Sequence, residues 1–162
     1  MPEDLLFGPP AATLAALLDD PAGHDHASAR RLLDGIPPER AATAPDGLPY
    51  SIAGLVAHAN ANLEFNRARI EGREAGEPVR WPPVEAAEWP ALAETFLANL
   101  AALRRLAETA DLNRVLDPPD GNEPGWTVGY KLAASVGKHT SYHLGQVAVL
   151  RRLLGLWSPG EP

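Results

Sequence analysis

His139 and His143 stand four residues apart in the run His139-Thr140-Ser141-Tyr142-His143. On a helix that spacing stacks two imidazoles on one face, one turn apart, so that both ring nitrogens can aim at a common point. The flanking apolar residues Val136, Val147 and Leu150 fall on the same face, which turns the pair toward a core. Two imidazoles in an apolar interior need partners, because an unpaired buried polar group costs about 1–3 kcal/mol. A metal ion satisfies both at once. His58, on another inward-facing segment, supplies a third nitrogen. Three imidazoles bind a divalent transition metal and leave a coordination position open for water or substrate. Zinc suits such a set, and nickel, manganese and iron also accept imidazole. The plainer alternative is that these are core histidines hydrogen-bonded to carbonyls or carboxylates.

Gln146 follows His143 by three on the same face. Two roles are open to it: a catalytic one, positioning a nucleophile or substrate, or a supporting one, orienting a ligand imidazole. Asn62 and Tyr142 are weaker candidates of the same sort, and both read as structural. His24 and His26 are two apart beside Pro21 and Gly23, cannot share a helix face, and read as a solvated helix start.

The chemistry that is missing narrows the field. Thr140 occupies the place where a zincin-type motif carries its glutamate base, which disfavours metalloprotease chemistry. There is no phosphate-cradling glycine loop and no Gly-x-Ser-x-Gly. The paired Glu-x-x-His motifs of a di-iron bundle are absent too. With no cysteine in 162 residues, disulfides and thiolate ligands are excluded. A net charge of -7 repels nucleic acid and anionic lipid. No basic-then-apolar leader and no membrane-length apolar run is visible, so the expectation is a cytoplasmic protein without a secretory signal.

The elements that must position the histidines follow from the prolines. They cluster at Pro9-Pro10, Pro37 to Pro49, Pro78 to Pro90, Pro118 to Pro124 and the C-terminus, and so mark connections. The Ala- and Leu-rich segments between them favour helix over strand. The first runs from about Ala11 to Ile36, broken near Pro21 and Gly23. The second starts at Ser51, a good N-cap, and reaches about Glu71, with Ile52, Val56, Ala59, Leu63 and Ile70 as its stripe. The third spans about Glu88 to Ala110, burying Leu92, Phe96, Leu100, Leu103 and Ala107. The fourth is capped by Thr127 and ended by Gly155, with Leu132, Val136, His139, His143, Val147, Leu150 and Leu154 on one face. Trp81, Trp89, Trp126 and Trp157 lie in or beside linkers and read as core-edge packing. Four amphipathic helices bury their stripes most simply as an all-α four-helix bundle, a single domain over residues 1–162. The linkers 72–87 and 111–126 are long for hairpin turns, and at least one can be a crossover that leaves its helices parallel.

The run Tyr50-Ser51-Ile52, then Leu55-Val56-Ala57-His58, with His139-x-x-x-His143-x-x-Gln146 near the C-terminus, resembles the DinB/YfiT-like superfamily. Asp34-Gly35-Ile36-Pro37, Trp81-Pro82 and Trp89 fit the same pattern. The resemblance implies an up-down-down-up four-helix bundle with one metal-binding histidine on the second helix and two on the fourth. Those positions fall on His58, His139 and His143. It also implies thiol-dependent S-transfer or isomerisation with a low-molecular-weight thiol, a small-molecule substrate, and a homodimer. The alternative is a non-catalytic, stress-related binding module that a metal staples together.

Overall fold

The computed structural model describes residues 10–19, 28–120 and 125–157, and His24 and His26 lie outside the described residues. The protein is mostly helical. Helices α1 (Pro10–Asp19), α2 (Ala29–Leu33) and α3 (Pro38–Ala42) come first, then α4 (Ile52–Ile70) and α5 (Trp89–Thr109). A short hairpin of β1 (Val115–Asp117) and β2 (Trp126–Thr127) precedes α6 (Val128–Tyr130), a π-helical segment (Lys131–Lys138) and α7 (His139–Leu153).

Local chemistry sets the long elements. Ser51 caps α4 by accepting a hydrogen bond from the Gly54 amide at 3.1 Å, satisfying a donor that the first turn leaves without a partner. Gly72 stops it. Its φ of 72° is the left-handed conformation that glycine adopts without a Cβ penalty, and the Arg73 amide folds back onto the Ala68 carbonyl at 2.8 Å. Gly155 ends α7 in the same way, with the Leu156 amide on the Arg151 carbonyl at 2.8 Å.

The stripes meet in one core. α4 packs against α5 and α7, and α1 against α5. Ile52, Val56, Ala59, Leu63, Phe96, Leu103, Leu132, Val136, Val147 and Leu150 are all buried, and each large one contributes about 1.5–3 kcal/mol relative to exposure. The α4–α5 seam also carries polar groups. Asn99 Nδ2 donates to Asn60 Oδ1 at 2.9 Å, and the Arg67 guanidinium donates to Asn99 Oδ1 at 3.1 Å. Mutually satisfied, these buried amides fix one register between the two helices.

Three features depart from the sequence reading. The second linker is not irregular throughout: β1 and β2 pair antiparallel, Val115 opposite Thr127 and Asp117 opposite Trp126. Thr127 caps the helix that follows, accepting from the Tyr130 amide at 3.2 Å, but that helix does not run evenly to Gly155. Its first turns widen into the π segment, where each amide reaches one residue further back than in an α-helix. At Gly137 a Cβ would stand 3.3 Å from the Leu132 carbonyl, so a larger residue would crowd the widened turn. Finally, the tryptophans split. Trp89 is buried and donates to the Ile36 carbonyl at 3.1 Å, as core-edge packing requires, whereas Trp81 is 49% exposed.

Candidate metal centre

α4 supplies His58, and the junction of the π segment with α7 supplies His139 and His143. His143 is buried and the other two are half-buried. Their ring nitrogens converge. His58 Nε2 lies 3.1 Å from His139 Nε2, and His143 Nε2 lies 3.3 Å from that same atom. One ligand atom from each residue falls within 4.8 Å of the other two. Tetrahedral zinc–imidazole bonds of about 2.0–2.1 Å imply ligand nitrogens about 3.3 Å apart, so the cluster has the right size for one ion.

Protons decide what the cluster wants. His58 Nδ1 is hydrogen-bonded to the Arg80 carbonyl. A carbonyl only accepts, so Nδ1 carries the hydrogen and Nε2 is left with a bare lone pair. His143 Nδ1 donates to Gln146 Oε1 at 2.7 Å, which leaves its Nε2 in the same state. His139 Nε2 can donate to only one of those two acceptors. Unprotonated nitrogens therefore face one another with too few hydrogens between them, an arrangement that a cation resolves. His139 Nδ1 is buried with no hydrogen-bond partner among the described residues. That orphan costs about 1–3 kcal/mol, and ligation at Nε2 would leave it without an acceptor, so the fit rests on the converging Nε2 atoms. The residues present fit a metal ion.

The electrostatics agree. Burial, reinforced by His143 and His58, holds the His139 imidazole down from 6.5 to about 4. Burial also lowers His143, against the opposing effect of the hydrogen bond it donates to Gln146. Both rings are thus neutral at pH 7, the form that binds metal. A pH dependence follows for the metal-free protein. Between about 4 and 6.5 the unfolded chain carries a proton at His139 that the folded chain does not. The stability that His139 contributes is therefore complete above 6.5 and declines as pH falls toward 4. Melting scans at pH 7 and pH 5 are expected to show a lower midpoint at pH 5, with a shallower decline in His139→Gln. Equal slopes in the two proteins would contradict this.

Gln146 sits beside the ligand ring. Its Oε1 is occupied by His143, and its Nε2 reaches the Tyr50 hydroxyl at 3.5 Å. That contact belongs to the supporting role of the two open to it. Gln146→Ala is expected to weaken zinc binding roughly 10–100-fold while leaving one ion per chain. Gln146→Glu, which keeps an acceptor, is expected to retain most of the affinity. Competition titration against a chelating dye reads both.

Sequence reasoning missed two partners of the site. Trp81 stacks on His58, with ring centroids 4.1 Å apart and planes 14° from parallel, and the adjacent Arg80 provides the carbonyl that sets the His58 tautomer. Trp81-Pro82-Pro83 was the available signal, an aromatic in a linker too stiff to form helix. Asn62, a minor candidate, lines a cleft of about 720 Å³ together with His58, His139 and Trp81. Tyr142 is 65% exposed and meets His143 edge-on.

A mostly helical chain with an inward-facing cluster of three histidines beside an open cleft is the class that fold and site define. The model of the DinB superfamily matches residues 24–147, and the chain belongs to that superfamily. No curated protein and no solved structure matches it. Among the described residues no helix is long and apolar enough to cross a membrane.

Proposed function

We infer that this protein is a metal-dependent enzyme that joins a low-molecular-weight thiol through its sulfur to an electrophilic carbon, the thiol giving up its proton and the carbon its bond to oxygen or halogen, or performs a related hydrolysis on a small molecule. The convergence of three imidazole nitrogens, two of them with bare lone pairs fixed by partners on the far side of the ring, carries this reading. An ion held by His58, His139 and His143 would keep its full positive charge and lower the pKa of a thiol or water in its open position. Zinc is the ion we favour, with nickel, manganese and iron as other outcomes of a metal assay.

The chain's own groups do the rest. The Arg80 carbonyl and Gln146 lock two ligand rings, so little motion is lost when the third closes. Trp81 covers one face of His58 and shields it from water. The cleft at the His58–His139 edge is roomy enough for a small molecule. The contacts of α4 with α5 and α7, and of α1 with α5, support reading the long helices as an up-down-down-up bundle. Tyr142, Val149 and Leu153, each more than half exposed along α7, offer a face for the homodimer that the resemblance implies, which sedimentation would test.

The decisive experiment uses protein purified without an affinity tag. Its metal content is measured first. Turnover of a thiol with an epoxide or halogenated compound is then compared between the parent and His143→Ala. Turnover in the parent alone is expected. Equal rates in both, or none in either across a broad panel, would count against an enzyme. A sharp fall in melting temperature on chelation, without turnover, would instead support a metal-stapled binding module.

A further inference from the structure

The cleft beside the histidines has two polar walls. Asn62 and Asn66 follow His58 at successive steps of four along α4, while Ser135 and Lys131 precede His139 at the same steps along the π segment. At its far end, among the described residues, two cations share one carboxylate. The Asp117 carboxylate is shared: the Arg69 guanidinium grips both its oxygens, and Lys131 Nζ stands at 3.4 Å from one of them. Two cations thus meet one carboxylate. Of the two, Lys131 lines the cleft, with its side chain only 17% exposed. Arg80 and Glu77, both exposed, also line the cleft and carry opposite charges. In a chain of net charge -7, this leaves, among the described residues, one cation more than the carboxylate it meets, partly withdrawn from water, at the end of a polar groove that starts at the metal ligands. A carboxylate arriving along the cleft would share Lys131 with Asp117 and would add more than the weak cation–π contact that Lys131 has with Trp126, 5.5 Å away.

We propose that the cleft accepts an elongated small molecule with a carboxylate at one end, held by Lys131, and its reactive end at His58, His139 and His143. The proposal rests on the metal reading above, which fixes the reactive end. Lys131 precedes His139 by eight residues, at most about 12 Å of helix at an α-helical rise, so the two ends of the ligand lie roughly 10 Å apart. Asn62 and Ser135 flank the path between them and can hydrogen-bond a polar backbone.

Two titrations test the anchor and the span separately. In the first, hexanoate, hexanamide and hexylammonium are titrated calorimetrically into the metal-free protein. Hexanoate is expected to bind at least tenfold more tightly than the other two. Lys131→Gln should erase that preference and Lys131→Arg should keep it, with melting curves confirming that both variants fold. In the second, the cobalt-loaded protein is titrated with 8-mercaptooctanoate and 8-mercaptooctanol, whose extended chains span the cleft, and thiolate-to-cobalt absorption is followed. The carboxylate is expected to win by about tenfold, again only with a cation at 131. No hexanoate preference in the parent, or a preference that survives in Lys131→Gln, overturns the anchor whatever the metal does. Lys131-dependent hexanoate binding with no cobalt absorption from either thiol would sink the metal reading and leave the anchor standing. Equal binding of the two thiols to the cobalt protein would overturn the two-ended arrangement.

Discussion

At a free-ion concentration about ten times the parent's dissociation constant, His143→Ala is expected to bring the metal content of untagged protein from near one ion per chain to under about a tenth of one. Removing one imidazole leaves His58 and His139, whose Nε2 atoms lie 3.1 Å apart, as a two-nitrogen site. Structural zinc sites bind with about 10–16 kcal/mol over four ligands. Each ligand is therefore worth about 3 kcal/mol, and losing one weakens binding roughly 10²–10³-fold. Stability should follow. An ion present at a thousand times its dissociation constant stabilises the fold by about 4 kcal/mol. In a domain of this size about 1 kcal/mol moves the melting midpoint by about 2–4 °C. Chelation should thus lower the parent's midpoint by about 10 °C and that of His143→Ala by only about 1–5 °C. Metal retained by the variant, or a parent midpoint indifferent to chelation, would refute a three-histidine site.

The second large effect lies far from the histidines. Arg151, on α7, is buried, and backbone carbonyls gather round its guanidinium. One terminal nitrogen donates to the carbonyls of Arg31 at 3.0 Å, Leu32 at 2.9 Å and Asp34 at 2.8 Å. The other donates to Leu156 at 3.2 Å. The first three are the carbonyls at the C-terminal end of α2, where a helix leaves acceptors unpaired and its dipole favours a cation. One side chain therefore ties α2 to α7 and to the turn after α7, and Trp157 lies against it at 4.9 Å. Arg151→Met keeps the apolar stem but strands those carbonyls, and at about 1–3 kcal/mol for each buried group left unsatisfied the loss comes to about 3–5 kcal/mol. The midpoint should fall by about 10 °C in the metal-free and metal-loaded proteins alike, with metal stoichiometry unchanged. Arg151→Lys, with fewer donors and no planar fork, should recover only part of it. A loss under about 1 kcal/mol in Arg151→Met would show that the carbonyls find other partners.

The two effects differ in how far they could be read in advance. Arg151 and Arg152 sit in the last turn of α7, where any sequence reading places a cation against the dipole. Only the fold shows that Arg151 turns inward onto a different helix while Arg152 lies along its own, donating to the Ala148 carbonyl at 3.5 Å.

What the residues alone determined is local or periodic. Ser51 and Thr127 as caps, Gly72 and Gly155 as stops, the buried stripes of α4 and α5 and the inward turn of His139 and His143 all follow from hydrogen-bond needs and helical spacing within a few residues. The tertiary structure decided whatever depends on distant segments meeting. It set the 3.1 Å approach of His58 to His139, the Arg80 carbonyl behind His58, and the pairing of β1 with β2. It also brought Arg69 and Lys131 to one carboxylate, that of Asp117. The π segment belongs here too, because its extra width comes from packing that no run of eight side chains encodes. Each depends on which surfaces the linkers bring together. A linker's course is fixed by the contacts it ends in, so it cannot be read from the linker itself.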